Sequence, residues 1–426
     1  MRAVFLITLV AFGSFAQGRF DRTNQRTDQG RSKRGFLPQS GAFFEFAPPS
    51  GAGMGTACAC AAITGAKGEA LTFTRAGDAT CSRQGLATTG IANGDLVVCT
   101  ANQPRVESSG GVLGLRVEAA RTNETLRSQQ IENAAWTGSA VGVAAPIITA
   151  NAAIAPDDTL TAERVQVPLT TGGQYSYMLQ VGGIGATWSS SVYVRGNGTS
   201  GTMHLWSGTT PNACVLCSYV SGSWSRCSVT TPPGVAGALG FGNDSTNALC
   251  VTAGAVASAL DVFVWQAQNE QGAYATSPIP TVAAAVTRNL EDATVPSVSI
   301  AGFASTGCAR AYVARPAGAT NGTAVSFSNS NGRPLYFTAG NQTVFDGTNN
   351  PSLATTFNGS SKWYITRWTG GSLTLHNQDT AAATTAFDGT MGVAGPLQLG
   401  NSVTNLQADG LISHIQLDPS PTRCTP

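Results

Sequence analysis

The chain has 426 residues, of which only 11% are charged, and its 24 Lys and Arg nearly balance its 23 Asp and Glu. This neutrality excludes the basic surface that binding to a nucleic-acid duplex requires. A hydrophobic content of 42% allows real cores, and 50 glycines favour short strands joined by tight turns. We therefore expect an all-β protein with little histidine chemistry, since it contains 3 His.

The N-terminus has the pattern of a secretory signal peptide. Arg2 precedes an apolar run over residues 3–12, and the small residues Ser14 and Ala16 follow. The run is too short to span a bilayer as a helix. We expect cleavage after Ala16, with no transmembrane segment, and an extracellular or virion-associated protein.

Residues 17–50 are expected to form a basic flexible arm. Six Lys or Arg side chains lie between Arg19 and Arg34, against two Asp, and the segment shows no apolar periodicity. Attachment of this arm to an anionic surface is the weaker interpretation.

The cysteines indicate disulfides, because their number is even and export leads to an oxidising compartment. They fall into groups of four, four and two, which suggests three modules: Cys58, Cys60, Cys81 and Cys99; Cys214, Cys217, Cys227 and Cys250; Cys308 and Cys424. A zinc site at Cys214 and Cys217 is the alternative, but no second ligand pair completes it. Cys217 and Cys227 lie symmetrically about Gly222, so a hairpin would pair them and leave Cys214 for Cys250. A bridge between Cys214 and Cys217 would contradict both pairings.

Apolar and polar residues alternate along most of the chain from residue 51 onward, as in half-buried strands. In the central block Val192 and Val194 alternate with Tyr193 and Arg195, and turn signals such as 196–198 (GNG) separate the runs. Regularly spaced short strands of this kind predict a β-sandwich. A proline-containing boundary at 280–295 precedes a last block that includes a hairpin over residues 362–376. In that block we expect Trp363 in the core and Trp368 exposed near the turn.

Catalytic and metal-binding motifs are missing from the sequence. It contains no G-x-S-x-G elbow, no H-E-x-x-H helix and no phosphate-binding G-x-x-x-x-G-K-[ST] loop. Glu291 is adjacent to Asp292, so a strand would point the two carboxylates to opposite faces. We expect no enzyme activity and no cofactor. Structural calcium at Asp244 or Asp261 is the one exception considered, but no Asp/Asn loop with calcium-binding spacing accompanies them.

Several segments resemble modules of bacteriophage tail-fibre and head-spike proteins. The first set is similar to their N-terminal module: 71–76 (LTFTRA), 103–106 (QPRV) and 114–123 (GLRVEAARTN). The second set is similar to the carbohydrate-binding-module-like sandwich that follows it: 131–137 (IENAAWT), 155–164 (APDDTLTAER) and 262–270 (VFVWQAQNE), with an exit over 273–288. The resemblance covers about residues 71–290 and implies a virion or surface protein. The predicted signal peptide and the cysteines depart from that family's pattern.

The last block resembles a concanavalin A-like, laminin-G-type jelly roll. The similar segments are 362–364 (KWY), 370–375 (GGSLTL), 397–401 (LQLGN) and 409–417 (DGLISHIQL). Because the first and last strands of such folds are neighbours, the resemblance implies a disulfide between Cys308 and Cys424.

Together these features give an all-β chain with two β-sandwich (jelly-roll) domains in tandem, preceded by a small β-rich module. The expected divisions are a signal peptide (1–16), a basic flexible arm (17–50), a phage-type N-terminal module (51–120), a carbohydrate-binding-module-like sandwich (121–290) and a concanavalin A-like jelly roll (291–426). The resemblance implies non-catalytic recognition of a cell-surface polysaccharide or other glycan, in a homotrimer or a virion or surface assembly. The alternatives are a secreted bacterial adhesin, a purely structural virion protein and a glycan-cleaving enzyme.

Aromatic residues on strands are the candidates for glycan contact, since the apolar face of a sugar stacks on an aromatic ring. Tyr193 with Arg195 and His204 with Trp206 are pairs two residues apart, and each pair shares one strand face. We predict that these four residues form a ligand-facing patch. The alternative is that Tyr193 and Trp206 belong to the core.

Overall fold

A computed structural model describes the chain over residues 42–45, 58–59, 71–85, 87–109, 112–183, 187–208, 213–245, 250, 254–296, 298, 300–327, 332–387, 390–393, 395–401 and 407–425. The predicted signal peptide and most of the predicted basic arm lie outside these residues. The described residues contain strands and no helix, and no segment among them is a helix able to cross a membrane.

Thirty strands make up the described secondary structure, in three stretches along the chain. The first stretch contains β1 (Ala42–Glu45), β2 (Cys58–Ala59), β3 (Thr72–Thr74), β4 (Ala79–Ser82), β5 (Leu96–Cys99), β6 (Arg105–Ser109) and β7 (Val112–Val117). The second contains β8 (Arg121–Asn123), β9 (Thr137–Val141), β10 (Ile147–Ala153), β11 (Ala162–Val167), β12 (Tyr175–Val181), β13 (Trp188–Gly196), β14 (Gly201–Ser207), β15 (Ala213–Tyr219), β16 (Ser225–Thr230), β17 (Ala238–Asp244), β18 (Leu260–Gln271) and β19 (Val286–Arg288). The third contains β20 (Asp292–Val295), β21 (Gly307–Ala314), β22 (Gly322–Phe327), β23 (Arg333–Thr338), β24 (Asn341–Phe345), β25 (Ser352–Ala354), β26 (Ser361–Thr369), β27 (Ser372–Asn377), β28 (Ala383–Ala386), β29 (Leu397–Leu399) and β30 (Gly410–Asp418).

The second stretch forms a sandwich of two antiparallel sheets. Sheet I has the order β10-β11-β18-β13-β16, with β8 and β19 attached, and sheet II has the order β15-β14-β17-β12-β9. The alternation expected for these strands places Val192, Val194, Met203 and Leu205 in one core between the sheets. Residues between them in sequence therefore point to the outer faces of the sandwich.

The first and third stretches build the other sandwich together. Sheet III has the order β2-β6-β7-β30-β21-β26-β27-β28, with β1 on β30, and sheet IV has the order β25-β24-β23-β22-β29-β20-β3. The expected hairpin is present, with β26 paired to β27. Within the predicted N-terminal module, β4 and β5 pair with each other, whereas β3, β6 and β7 join the sheets of the last block.

Three disulfides with the predicted pairings are present. Cys214 bonds to Cys250, Cys217 to Cys227 and Cys308 to Cys424, at Cα–Cα distances of 5.4, 5.7 and 6.0 Å. The expected hairpin around Gly222 is wrong, because β15 pairs with β14 and β16 pairs with β13. The bridge from Cys217 to Cys227 therefore joins sheet II to sheet I across the core. Cys81 and Cys99 are also disulfide-bonded.

A buried ion network, formed by Arg75, Arg105, Glu118, Arg288 and Glu291, joins the three stretches of the chain. Glu291 lies 2.8 Å from Arg75 and 2.5 Å from Arg105. Glu118 lies 2.8 Å from Arg105 and 3.2 Å from Arg288. The backbone amide of Glu118 also donates to Glu291 at 2.9 Å.

The network keeps its charges although its side chains are almost fully buried. Burial opposes the charge of Arg105, but Glu291 and Glu118 together raise its pKa above the usual range. Burial likewise opposes the charge of Glu118, yet Arg288 and Arg105 hold its pKa well below the usual range. Each charge is therefore stable only while its partners stay in place.

The substitution Glu291→Gln tests this dependence, because it leaves Arg75 and Arg105 buried without their shared carboxylate. We expect the free energy of unfolding to fall by about 3–5 kcal/mol, as measured by urea denaturation. The control is Asp261→Asn, which breaks a pair with Arg164 whose side chains are 34% and 32% exposed, and which should cost at most about 1 kcal/mol. Equal effects of the two substitutions would contradict the central role of the network.

Glu163 is a buried carboxyl group in the central sandwich, and it is 1% exposed. Burial and a hydrogen bond with the Glu132 side chain raise the pKa of Glu163 to about 9. Because the folded state holds this proton more tightly than the unfolded state, the stability from it is complete below about pH 4.3 and is lost as the pH rises toward 9.

The substitution Glu163→Gln should remove this pH dependence. We expect the variant to gain unfolding free energy relative to the wild type between pH 5 and pH 9, as measured by urea denaturation across that range. A constant difference between the two proteins would show that Glu163 ionises normally in the folded state.

Candidate functional site

The outer face of sheet II has glycines along its central strand. In β17, Leu239 and Phe241 point into the core, so Gly240 and Gly242 lie on the outer face. A Cβ atom on Gly240 would lie 2.2 Å from the Trp206 ring, and Gly242 has a φ of 155° that favours glycine. Gly240 therefore leaves a shallow floor for the Trp206 ring, and Gly242 lets the β12 chain at Ser176 and Tyr177 approach closely.

Aromatic residues of the two neighbouring strands lie beside these glycines. Trp206 of β14 is paired with Gly240, and Tyr177 of β12 is paired with Gly242. The Tyr177 ring meets the Trp206 ring edge-on at 5.0 Å, and the Tyr175 ring lies 5.4 Å from the Tyr177 ring. We call Tyr175, Tyr177 and Trp206 the aromatic face.

The rings of the aromatic face differ in exposure, and this difference assigns their roles. Trp206 is only 4% exposed, whereas Tyr175 and Tyr177 are half-buried. Trp206 therefore supports Tyr177 from behind, and the two tyrosines present their rings to solvent. Edge-to-face aromatic pairs of this kind contribute about 0.5–1.5 kcal/mol beyond their buried area, so the support also orients the ring.

The face continues along β12 and onto the edge strand β9. Leu179 and Val181 follow the tyrosines on the same side of β12, and Val181 is 63% exposed. The register places Ser139 opposite Tyr177 and Val141 opposite Tyr175. The exposed surface is thus an aromatic and aliphatic row with hydroxyl groups beside it.

His204 lies on the same strand as Trp206, but it is buried and fastens a neighbouring segment. Its Nε2 is 2.7 Å from the Gly254 carbonyl oxygen, and burial lowers the pKa of His204. The backbone amide of Val256 donates to the Asp244 carbonyl oxygen at 3.0 Å. Residues 254–256 therefore cover His204 and border the aromatic face.

The predicted patch of Tyr193, Arg195, His204 and Trp206 is not a single exposed surface. The first pair lies on the outer face of sheet I and the second on the outer face of sheet II. Tyr193 is 3% exposed and packs with Ile91, Leu96 and Trp265, because the segment around β5 covers this part of sheet I.

Arg195 is also taken up by this internal contact. Its guanidinium lies over the Trp224 ring at 4.7 Å and over the Phe263 ring at 5.0 Å. Asn93 accepts hydrogen bonds from Arg195 at 3.4 Å and from Trp224 at 3.1 Å. Tyr193 and Arg195 thus join the first stretch of the chain to the central sandwich, and of the four predicted residues Trp206 alone belongs to the aromatic face.

Tyr175 and Tyr177 were not among the residues predicted from the sequence, although a signal for them exists. Residues 175–177 (YSY) place two tyrosines on one strand face, and 240–242 (GFG) place two glycines on another. Neither segment is informative alone, because only the pairing of β12 with β17 brings them together.

Asp244 and Asp261 were the residues considered as calcium ligands. In the described part of the chain, neither belongs to a group of three or more His, Cys, Asp or Glu that could hold a metal. Asp261 is paired with Arg164 at 2.6 Å. Asp244 accepts a hydrogen bond from the Cys250 backbone amide at 3.3 Å.

Comparison with known proteins finds partial structural likeness and no sequence family. No family model matches the chain, and no curated protein matches it significantly. The enzymatically active domain of tailspike protein 4 from bacteriophage CBA120 is similar over 34% of this chain and 21% of its own, with 17% identity and a TM-score of 0.24. The CBM22-1 and GH10 modules of a Clostridium thermocellum xylanase, solved with xylohexaose, are similar over 39% of this chain and 30% of their own, with 15% identity and a TM-score of 0.24. Mouse laminin α1 domains LG4-5 are similar over 60% of this chain and 87% of their own, with 10% identity and a TM-score of 0.23.

The chain thus spans about a fifth of the tailspike structure and less than a third of the xylanase structure.

The substitution Gly240→Ala tests how the aromatic face is built. The added methyl group would collide with the Trp206 ring, so we expect a loss of about 1–3 kcal/mol in unfolding free energy and a shift in tryptophan fluorescence. Gly138→Ala on β9 is the control, since its Cβ would meet the Met178 sulfur at an ordinary 3.5 Å. Unchanged fluorescence in Gly240→Ala would show that Trp206 does not lie over the glycine floor.

Proposed function

We propose that this protein recognises neutral glycans without cleaving them, through the aromatic face of sheet II. The observation that carries the proposal is the pair of half-exposed tyrosine rings, Tyr175 and Tyr177, supported by the buried Trp206 ring over Gly240. The apolar faces of successive sugar rings can stack on such neighbouring aromatic rings, while nearby hydroxyl groups bond the sugar hydroxyls.

The charge of the face favours neutral over acidic glycans. The five strands of sheet II contain no Lys or Arg, and Asp244 is their one carboxylate. An acidic sugar would find no cation on these strands to offset the desolvation of its charge. A neutral sugar needs only stacking and hydroxyl partners. On β9, Ser139 lies opposite Tyr177, and Thr137 lies opposite Leu179.

The same composition favours binding over hydrolysis. Glycoside hydrolysis uses two carboxylates that flank the scissile bond, and in retaining enzymes they lie about 5–5.5 Å apart. Sheet II supplies Asp244 alone, and this residue is fully buried. The carboxylates Glu118 and Glu291 are held in the buried ion network.

Placement on a phage tail fibre, a spike or a bacterial surface, as the module resemblance implies, is part of this proposal.

The test is a glycan-array screen of the full oxidised protein, followed by titration of the best neutral oligosaccharide. We expect Tyr177→Ala to weaken binding at least tenfold, about 1.4 kcal/mol, because it removes the supported stacking ring. Tyr175→Ala should also weaken binding. Product analysis of the bound oligosaccharide should show no cleavage.

The control is Tyr312→Ala, since Tyr312 is a partly exposed tyrosine that contacts Trp363 in the other sandwich. Binding that is kept in Tyr177→Ala and lost in Tyr312→Ala would move the site to sheet III. Absence of binding across the array would favour the purely structural alternative, and cleavage would favour the enzyme.

A further inference from the structure

A polar cleft lies where the two sandwiches meet, away from the aromatic face. It has a volume of about 210 Å³ and its lining includes Arg121, Tyr274, Asn321, Gln407 and Asp409. Arg121 begins the central sandwich in β8, and Tyr274 follows β18. Asn321 and Asp409 directly precede β22 and β30 of the other sandwich. The cleft thus gathers polar side chains from parts of the chain that are distant in sequence.

Arg121 and Tyr274 form one wall. The guanidinium carbon of Arg121 is 5.4 Å from the centre of the Tyr274 ring, and its Nη2 donates to the tyrosine hydroxyl at 3.4 Å. The Nε of Arg121 is buried and has no hydrogen-bond partner among the described residues. Burial, followed by the charge of Asp409, raises the pKa of Tyr274, so this phenol keeps its proton. The Nε–H of Arg121 is therefore the unpartnered donor of this wall, while the Tyr274 hydroxyl already interacts with Arg121 and Asp409.

Asp409 faces that wall in the left-handed backbone conformation, which Asp and Asn adopt more readily than other non-glycine residues. Its φ is 49°, in the left-handed region, and its Oδ1 accepts a hydrogen bond from the Ala119 amide at 2.8 Å. Left-handed residues other than glycine cost roughly 1–3 kcal/mol and are concentrated at ligand sites. Here the hydrogen bond from Ala119 helps to hold a carboxylate opposite a cation and a phenol.

We propose that this cleft binds a single neutral sugar ring or a polyol of the same size. Its lining combines an acidic, a basic and a phenolic group with two side-chain amides, and vicinal hydroxyls can both donate to and accept from such a set. Arg121 and Asp409 offset each other in charge, so a neutral ligand fits better than an ion. The volume lies below the roughly 300–1,000 Å³ of sites for drug-sized ligands, which favours one ring over a chain.

The test uses a panel of free monosaccharides and their methyl glycosides with the full oxidised protein, read by saturation-transfer NMR and by thermal shift. Thr320 lines the cleft and is exposed, so Thr320→Trp should fill the cleft without disturbing the core. In the Tyr177→Ala background, which removes the stacking ring of the aromatic face, we expect Thr320→Trp to abolish monosaccharide binding and Thr320→Ser to keep it. Asp409→Asn should weaken binding at least tenfold while folding normally, because Asn tolerates the left-handed conformation.

Tyr177→Ala alone separates this cleft from the aromatic face, because the monosaccharide binding that remains in this variant is the binding assigned to the cleft. Binding that is lost in Tyr177→Ala and kept in Thr320→Trp would overturn the cleft assignment and support the aromatic face. Absence of binding to every sugar of the panel by the wild-type protein would also overturn it. Stronger binding of the methyl glycosides than of the free sugars would identify the ligand as the end of a glycan chain.

Discussion

The buried ion network is the constraint on which the rest of the structure depends. Glu291 bonds two arginines of the first stretch of the chain, and Glu118 bonds Arg105 and Arg288. Removing a charged group from water costs several kcal/mol, roughly, so each buried charge of the network depends on its oppositely charged partners. The network thereby fixes the position of the segments that enter and leave the central sandwich.

The two candidate sites depend on the fold in different ways. The aromatic face belongs to a single sheet, because β12, β14 and β17 supply its rings and floor. The cleft depends instead on the placement of one sandwich against the other, since Arg121 and Asp409 come from different sandwiches. A change in the ion network should therefore disturb the cleft before it disturbs the aromatic face.

Strand periodicity predicts the inside of this protein better than its outside. The valines and leucines of β13 and β14 point inward as their alternation indicates. Whether an outward-pointing residue is exposed to solvent depends on what covers it. Ile91 and Asn93, from a distant segment, cover the Tyr193 side of sheet I. The same limit explains the last block, where Trp368 is fully buried and Trp363 is partly exposed, opposite to expectation. The pattern of residues within one strand does not predict which distant segment will pack against it.

The interleaved strand order makes the central sandwich an insertion within the other one. Sheets III and IV take strands from before β8 and from after β19, and sheets I and II take none from outside that range. During synthesis, sheet III cannot be completed around β6 and β7 until β30, the last of the described strands, has been made. The inserted sandwich has no such delay, because all its strands are contiguous in the sequence. A domain with contiguous strands can fold as a unit, and compact domains whose ends lie close together tolerate insertion into another domain.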